Sequence, residues 1–215
     1  MRWLLVSLAV LAVATVAGVT YAVARSQPSN GIEHPPAPST RYDAAAVWRA
    51  GVRPAPAFAL KDQHGRPLTL TGLRGRPVVV TFIDPVCRNL CPLEAKILMK
   101  AIATLPAAQR PVVVAVSVNP PADTAANFAQ DESHWHLDSD WLWGVGTEAQ
   151  LAPIWHRYEI AVQTIKEKIE GVRVNEVVHT EASYVIDASG HERGLFLYPF
   201  TAAHVAALLR DVSTT

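Results

Sequence analysis

The strongest constraint on this chain is a pair of continuous apolar runs. One is Pro77-Val-Val-Val-Thr-Phe-Ile83 and the other spans Val112 to Val118. Neither alternates with polar residues, and both are rich in β-branched side chains. Runs of this kind suit strands buried on both faces, which require helices above and below the sheet. The intervening segment supplies one. From Pro92 to Leu105, the residues Leu93, Ile97, Leu98, Ile102 and Leu105 recur along one side of a helix. Further helices are predicted over 124–130, 147–157 and 202–209. Strands are predicted over 183–186 and 194–198, joined by the turn Ala188-Ser189-Gly190. Two short strands, Phe58-Ala-Leu and Leu68-Thr-Leu, flank a turn at Asp62–Gly65. Residues 161–178 fit either a helix or a hairpin. Strands alternating with helices, closing in a hairpin and a helix, give an α/β sandwich with a mixed sheet.

The rest of the chain divides simply. Trp3 to Val23 runs 21 positions without a charge, between Arg2 and Arg25, which is long enough to span a bilayer as a helix. Ala22-Val23-Ala24 also has the form of a signal cleavage site. Residues 1–25 are therefore expected to be a single membrane anchor or a signal peptide. Either way, the rest of the chain is expected on the extracytoplasmic side of the cytoplasmic membrane. Residues 26–42, with Pro28, Pro35, Pro36 and Pro38, read as an extended tether. Residues 43–215 form one domain with room for a core.

Composition removes several functions. Nineteen basic residues balance nineteen acidic ones, which argues against a nucleic-acid binder, since that would need a basic surface to neutralise phosphates. Two cysteines are too few for a disulfide scaffold, a four-thiolate zinc site or an iron–sulfur cluster. Two methionines exclude a thioether-rich copper site.

What remains is Phe82-Ile-Asp-Pro-Val-Cys87-Arg-Asn-Leu-Cys91-Pro92, where a buried strand gives way to a helix. Reactive groups collect at such strand ends. Pro92 lacks an N–H and belongs in the first helical turn, so the helix starts near Cys91 and Cys87 lies in the turn before it. The helix N-terminus and Arg88 are both expected to favour thiolate. Three readings of the pair stay open: a metal site, a redox-active dithiol, and a structural disulfide or inert buried thiols. Eight histidines compete as a third ligand. His179 stands at the mouth of a buried strand, where its loop could bring the imidazole over the cysteine turn. His134 and His136, flanking Trp135, are expected on a surface loop.

Cys87-x-x-x-Cys91-Pro92 after a valine-rich strand, with His179-Thr-x-x-x-Tyr-Val-Ile-Asp some 90 residues later, resembles the Sco/SenC family. Supporting stretches are Ser117-Val-Asn-Pro with Asp123-Thr124, Gly146-Thr-x-x-Gln150-Leu and Trp155-x-x-Tyr158. The resemblance implies a thioredoxin-like fold, a membrane tether and a copper site, Cu(I) or Cu(II), made by Cys87, Cys91 and His179. It further implies delivery of copper to the copper-site subunit of cytochrome c oxidase, or reduction of that subunit's thiols. The spacer between the cysteines is Arg88-Asn89-Leu90, where many members carry an acid, and the acid stands earlier, at Asp84. A thiol–disulfide oxidoreductase acting on partner cysteines is the alternative, although its usual motif is C-x-x-C. A peroxidase is disfavoured because Arg88 stands three before Cys91, where Thr or Ser would be expected.

Overall fold

The computed structural model describes residues 41–169 and 172–213. The expected anchor, and the tether up to residue 40, lie outside them. Among the described residues no helix is long and apolar enough to cross a membrane.

A six-stranded mixed sheet organises the domain, in the order β1-β10-β9-β4-β5-β6. Its strands are β1 (Ala46–Val47), β4 (Val78–Ile83), β5 (Val112–Ser117), β6 (Trp141–Gly144), β9 (Ala182–Ile186) and β10 (Glu192–Leu197). The two continuous apolar runs are β4 and β5, paired in parallel and buried at every position. On its other side β4 pairs antiparallel with β9. A thioredoxin-like architecture results, with helices on both faces.

One face packs against α1 (Leu90–Ala103), α2 (Ala125–Trp135) and α4 (Ala202–Val212). The other carries α3 (Glu148–Arg157) and the small hairpin β2 (Ala59–Lys61) and β3 (Pro67–Thr69). Residues alternate between the two cores along β4: Val79 and Ile83 face one, Val78, Val80 and Phe82 the other.

The structure corrects the sequence reading in several places. The ambiguous 161–178 stretch is a two-stranded ribbon, β7 (Val162–Ile169) and β8 (Val172–His179). Strand β6 was not anticipated. It is too short to show a pattern, and its burial comes from Trp141 and Trp143 meeting neighbours from β5 and α2. Helix α2 runs five residues beyond the predicted Gln130, ending at His136 in the left-handed region. His134 and Trp135 thus occupy its last turn, not a loop. The buried stripe of α1 is Cys91, Glu94, Ala95, Leu98, Ala101 and Ile102, while Leu93 is 46% exposed. The stripe therefore includes both a cysteine and an acid.

Candidate metal centre

Strand β4 ends at Ile83 and hands the chain to a tight turn. Asp84 shapes that turn. Its backbone carbonyl accepts from the Cys87 N–H (3.0 Å), and its Oδ1 accepts from the Val86 N–H (3.0 Å) and from Asn119 Nδ2 (3.0 Å). Asp84 therefore caps the turn and does not offset Arg88. Arg88 points to α2, where its Nη1 lies 3.1 Å from Asp131 Oδ1 and also donates to the carbonyls of Pro85 and Cys87. Asn89 is the N-cap of α1, its Oδ1 accepting from the Leu90 N–H at 2.7 Å.

This arrangement makes the two cysteines unequal. Cys91 is fully buried on α1, while Cys87 is partly open. Both thiols are free. The Cys91 thiol and backbone N–H both donate to Cys87 Sγ, the N–H at 3.4 Å. In its own thiol form Cys87 donates to Asn89 Oδ1 at 2.9 Å. The hydrogen bond from Cys91, joined by the N–H groups of Asn89, Cys91 and Leu90, draws the Cys87 pKa down to about 6 against the effect of burial. Cys91 moves the opposite way, held protonated by the bond it donates, by burial and by the nearby Cys87 charge. The expected helix effect is thus concentrated on one sulfur. Arg88, engaged with Asp131, is not among its causes.

His179 closes the site from the segment that leads into β9, the strand beside β4. It is the last residue of β8, and Cys91 Sγ lies 3.8 Å from its Nε2. Its Nδ1 sits 3.1 Å from the Thr180 carbonyl, which can only accept, so Nδ1 carries the proton and Nε2 offers its lone pair. A backbone partner on the other nitrogen is how ligating histidines are commonly oriented. Burial lowers the His179 pKa and keeps the ring neutral.

Glu181 was not foreseen as part of this site. Its Oε1 lies 3.3 Å from His179 Nε2. Burial and the facing Glu94 carboxyl raise its pKa to about 9, so at neutral pH it is an acid beside a neutral imidazole and not an ion pair. Glu94 itself is fully buried, and its Oε1 accepts from Thr81 Oγ1 (2.9 Å) and Ser183 Oγ (2.6 Å). One clue was present in the sequence: residues i and i+2 of an extended segment share a face, which puts Glu181 with His179.

The donor atoms of Cys91, His179 and Glu181 lie within 4.8 Å of one another, and Cys87 stands outside that group, against Cys91. An open cleft of about 370 Å³ runs between the cysteine turn and the end of β8. Val86, Leu90, Leu93 and Val178 are exposed apolar residues on these two elements and the start of α1. Among the described residues His134 and His136 join no group of converging donors.

The profile of the SCO1/SenC family matches residues 49–214, which contain all of these residues. The chain belongs to the SCO1/SenC family. Solved members share its fold over nearly their whole length. The copper-bound ScoI of Bradyrhizobium japonicum is 24% identical, covering 74% of this chain and 98% of that one, with a TM-score of 0.59. Apo Sco1 of Thermus thermophilus is 25% identical over 78% of this chain and 98% of that one, with a TM-score of 0.62. BsSco, described with a disulfide switch and as one of the Sco family of cytochrome c oxidase assembly proteins, is 18% identical, covering 78% and 98%, with a TM-score of 0.59. Among curated proteins no match is found. A site with two thiols and an imidazole at the family's motif offers soft donors of the kind that select Cu(I), together with nitrogen suited to Cu(II).

Proposed function

We propose that the chain is an exported, membrane-tethered copper metallochaperone that assists assembly of the copper centre of cytochrome c oxidase. Copper is its cargo, held by Cys87, Cys91 and His179. The observation that carries the reading is the approach of Cys91 Sγ to within 3.8 Å of a His179 Nε2 whose lone pair is freed by the Nδ1–Thr180 hydrogen bond. The low pKa of Cys87 supports it too, since thiolate and not thiol binds metal. The partner is the copper-site subunit of the oxidase, and transfer proceeds by exchange of thiolate and imidazole ligands between the two proteins. Family membership and the copper-bound relative support the cargo. The apolar run over Trp3–Val23 supports the tether and the extracytoplasmic position of the domain.

Titration of the reduced full chain tests the reading. One equivalent of copper is expected to bind as Cu(I) or Cu(II), with binding lost in Cys87→Ser and Cys91→Ser. His179→Ala is expected to lose Cu(II) more than Cu(I). A reduced wild-type chain that takes up no copper overturns the proposal.

The inequality of the thiols favours one second reading, a thiol–disulfide oxidoreductase. The Cys87 thiolate would attack a partner disulfide, and Cys91 would release its proton and resolve the mixed disulfide. This reading expects His179→Ala to retain disulfide exchange. Absence of exchange with any cysteine-bearing partner removes it.

A further inference from the structure

Glu181 is left over when the site is read as two cysteines and a histidine. Its carboxyl is only 14% exposed, and among the described residues no lysine or arginine pairs with it. Its Oε1 faces His179 Nε2 at 3.3 Å, the nitrogen that Cys91 Sγ approaches to 3.8 Å. Bonds of about 2.0–2.3 Å, as first-row cations make to oxygen, nitrogen and sulfur, set neighbouring donors on one ion about 3–4 Å apart. Both separations fall in that range. Behind Glu181, Glu94 is fixed by Thr81 and Ser183 on the two central strands, so the carboxyl is backed by the rigid part of the sheet.

Resting on the copper reading above, we propose that Glu181 is an oxygen ligand of this site that serves Cu(II) and not Cu(I). Thiolates satisfy Cu(I), whereas Cu(II) takes nitrogen and oxygen donors in a tetragonal arrangement. The Glu181 carboxyl gives up its proton to solvent as Cu(II) binds and joins the cysteine–histidine set as a hard oxygen donor, which strengthens the site for Cu(II) and not for Cu(I). Glu181, two positions beyond the histidine, then adds to the preference for Cu(II) that His179 supplies.

The test uses the full chain, reduced and metal-free, as wild type, Glu181→Gln, Glu181→Ala and Glu181→Asp. Each is titrated anaerobically with Cu(II) and, separately, with Cu(I) against a competing chelator, and the EPR spectrum of the Cu(II) form is recorded. Gln and Ala are expected to weaken Cu(II) about ten- to a hundredfold, the scale seen when a supporting metal-site group is lost, to change the copper hyperfine splitting, and to leave Cu(I) binding as in wild type. Asp is expected to recover part of the Cu(II) affinity. Glu181→Gln, which keeps the shape of the side chain, is the variant on which the result is read, and its retained Cu(I) binding reports that the site still folds. Equal loss of both oxidation states with an unchanged EPR spectrum overturns the proposal, because Glu181 would then only orient His179. Variants indistinguishable from a copper-binding wild type overturn it and leave the copper reading standing. A wild type that binds neither form overturns both.

Discussion

Removing the Cys91 thiol should change how Cys87 titrates, and the two obvious replacements should differ. In the native chain the Cys91 S–H and N–H both converge on Cys87 Sγ, and the Cys87 pKa falls to about 6. An ordinary thiol with a pKa of about 8.5 is about 3% thiolate at pH 7, whereas one at about 6 is about 90% thiolate. That thirtyfold gain in thiolate does not appear in full as rate. Thiolate nucleophilicity falls with pKa along a Brønsted slope of about 0.4–0.5, which over this interval costs about tenfold. The net acceleration at pH 7 is then only about threefold. The midpoint of the pH–rate profile, not the rate, is the diagnostic. The assay is the initial rate of reaction with a small neutral disulfide between pH 5 and 10, with the modified site located by mass spectrometry. Wild type is expected to react first at Cys87, with a midpoint near 6. Cys91→Ala, which removes the donor, should move the midpoint up toward the ordinary thiol value. Cys91→Ser, which keeps an O–H, should hold it nearer the native one. A wild-type midpoint at the ordinary thiol value, or a Cys91→Ala profile superimposable on wild type, refutes the account of how the turn activates Cys87.

Three further outcomes follow from the packing around the site. Burial raises the Asp123 pKa to about 7, so the folded chain holds a proton there that the unfolded chain has released. Its contribution is fully present below the unfolded value of about 4 and is lost as pH climbs through the folded one; the stability difference between Asp123→Asn and wild type should grow in favour of Asn between pH 4 and 8 in urea melts. Arg88→Ala leaves the 1% exposed Asp131 without its cation and should cost about 1–3 kcal/mol in the same measurement, part of it recovered by adding Asp131→Asn. A Cβ at Gly194 would lie 2.4 Å from Cδ2 of the buried Leu208, which must shift within the packed core, so Gly194→Ala should cost about 1–3 kcal/mol and lower the Tm by several degrees, read by thermal melting.

How much could be read from the chain depended on how local the cause was. Strands β4 and β5 were legible because every side chain in them is buried, and burial on both faces leaves an unbroken apolar run. The start of α1 was legible because Pro92 admits few other positions. The 161–178 ribbon was not, because Gln163-Thr-Ile-Lys-Glu167 mixes strand formers with helix formers and pairs only with its own return strand. Arg88 was expected to act on the thiolates beside it in sequence, but its partner is Asp131, forty-three residues away on α2. Glu94 reads as the polar face of a helix, and what makes it a buried residue is a pair of hydroxyls at Thr81 and Ser183 on two different strands.

The same distinction separates the parts of the site. Cys87, Cys91 and His179 are set by local motifs: a strand end, a capped helix start and a strand mouth. Their spatial meeting follows from β4 lying beside β9, since the antiparallel pairing of Val80 with Tyr184 and Thr81 with Ser183 brings the chain just before β9 back to the level where the cysteine turn leaves β4. That register carries Glu181 with it, because Glu181 immediately precedes β9, and Ser183 then faces Glu94 from the next strand. An acid at this position is therefore not independent of the histidine two residues earlier. The register that delivers the imidazole to Cys91 also delivers the carboxyl, backed by Glu94 and, among the described residues, paired with no lysine or arginine. A slip of one residue would turn Glu181 and Ser183 to the opposite face. The hydrogen bonds of Thr81 and Ser183 to Glu94 Oε1 tie the buried acid to both β4 and β9 in the register that the donor set shares.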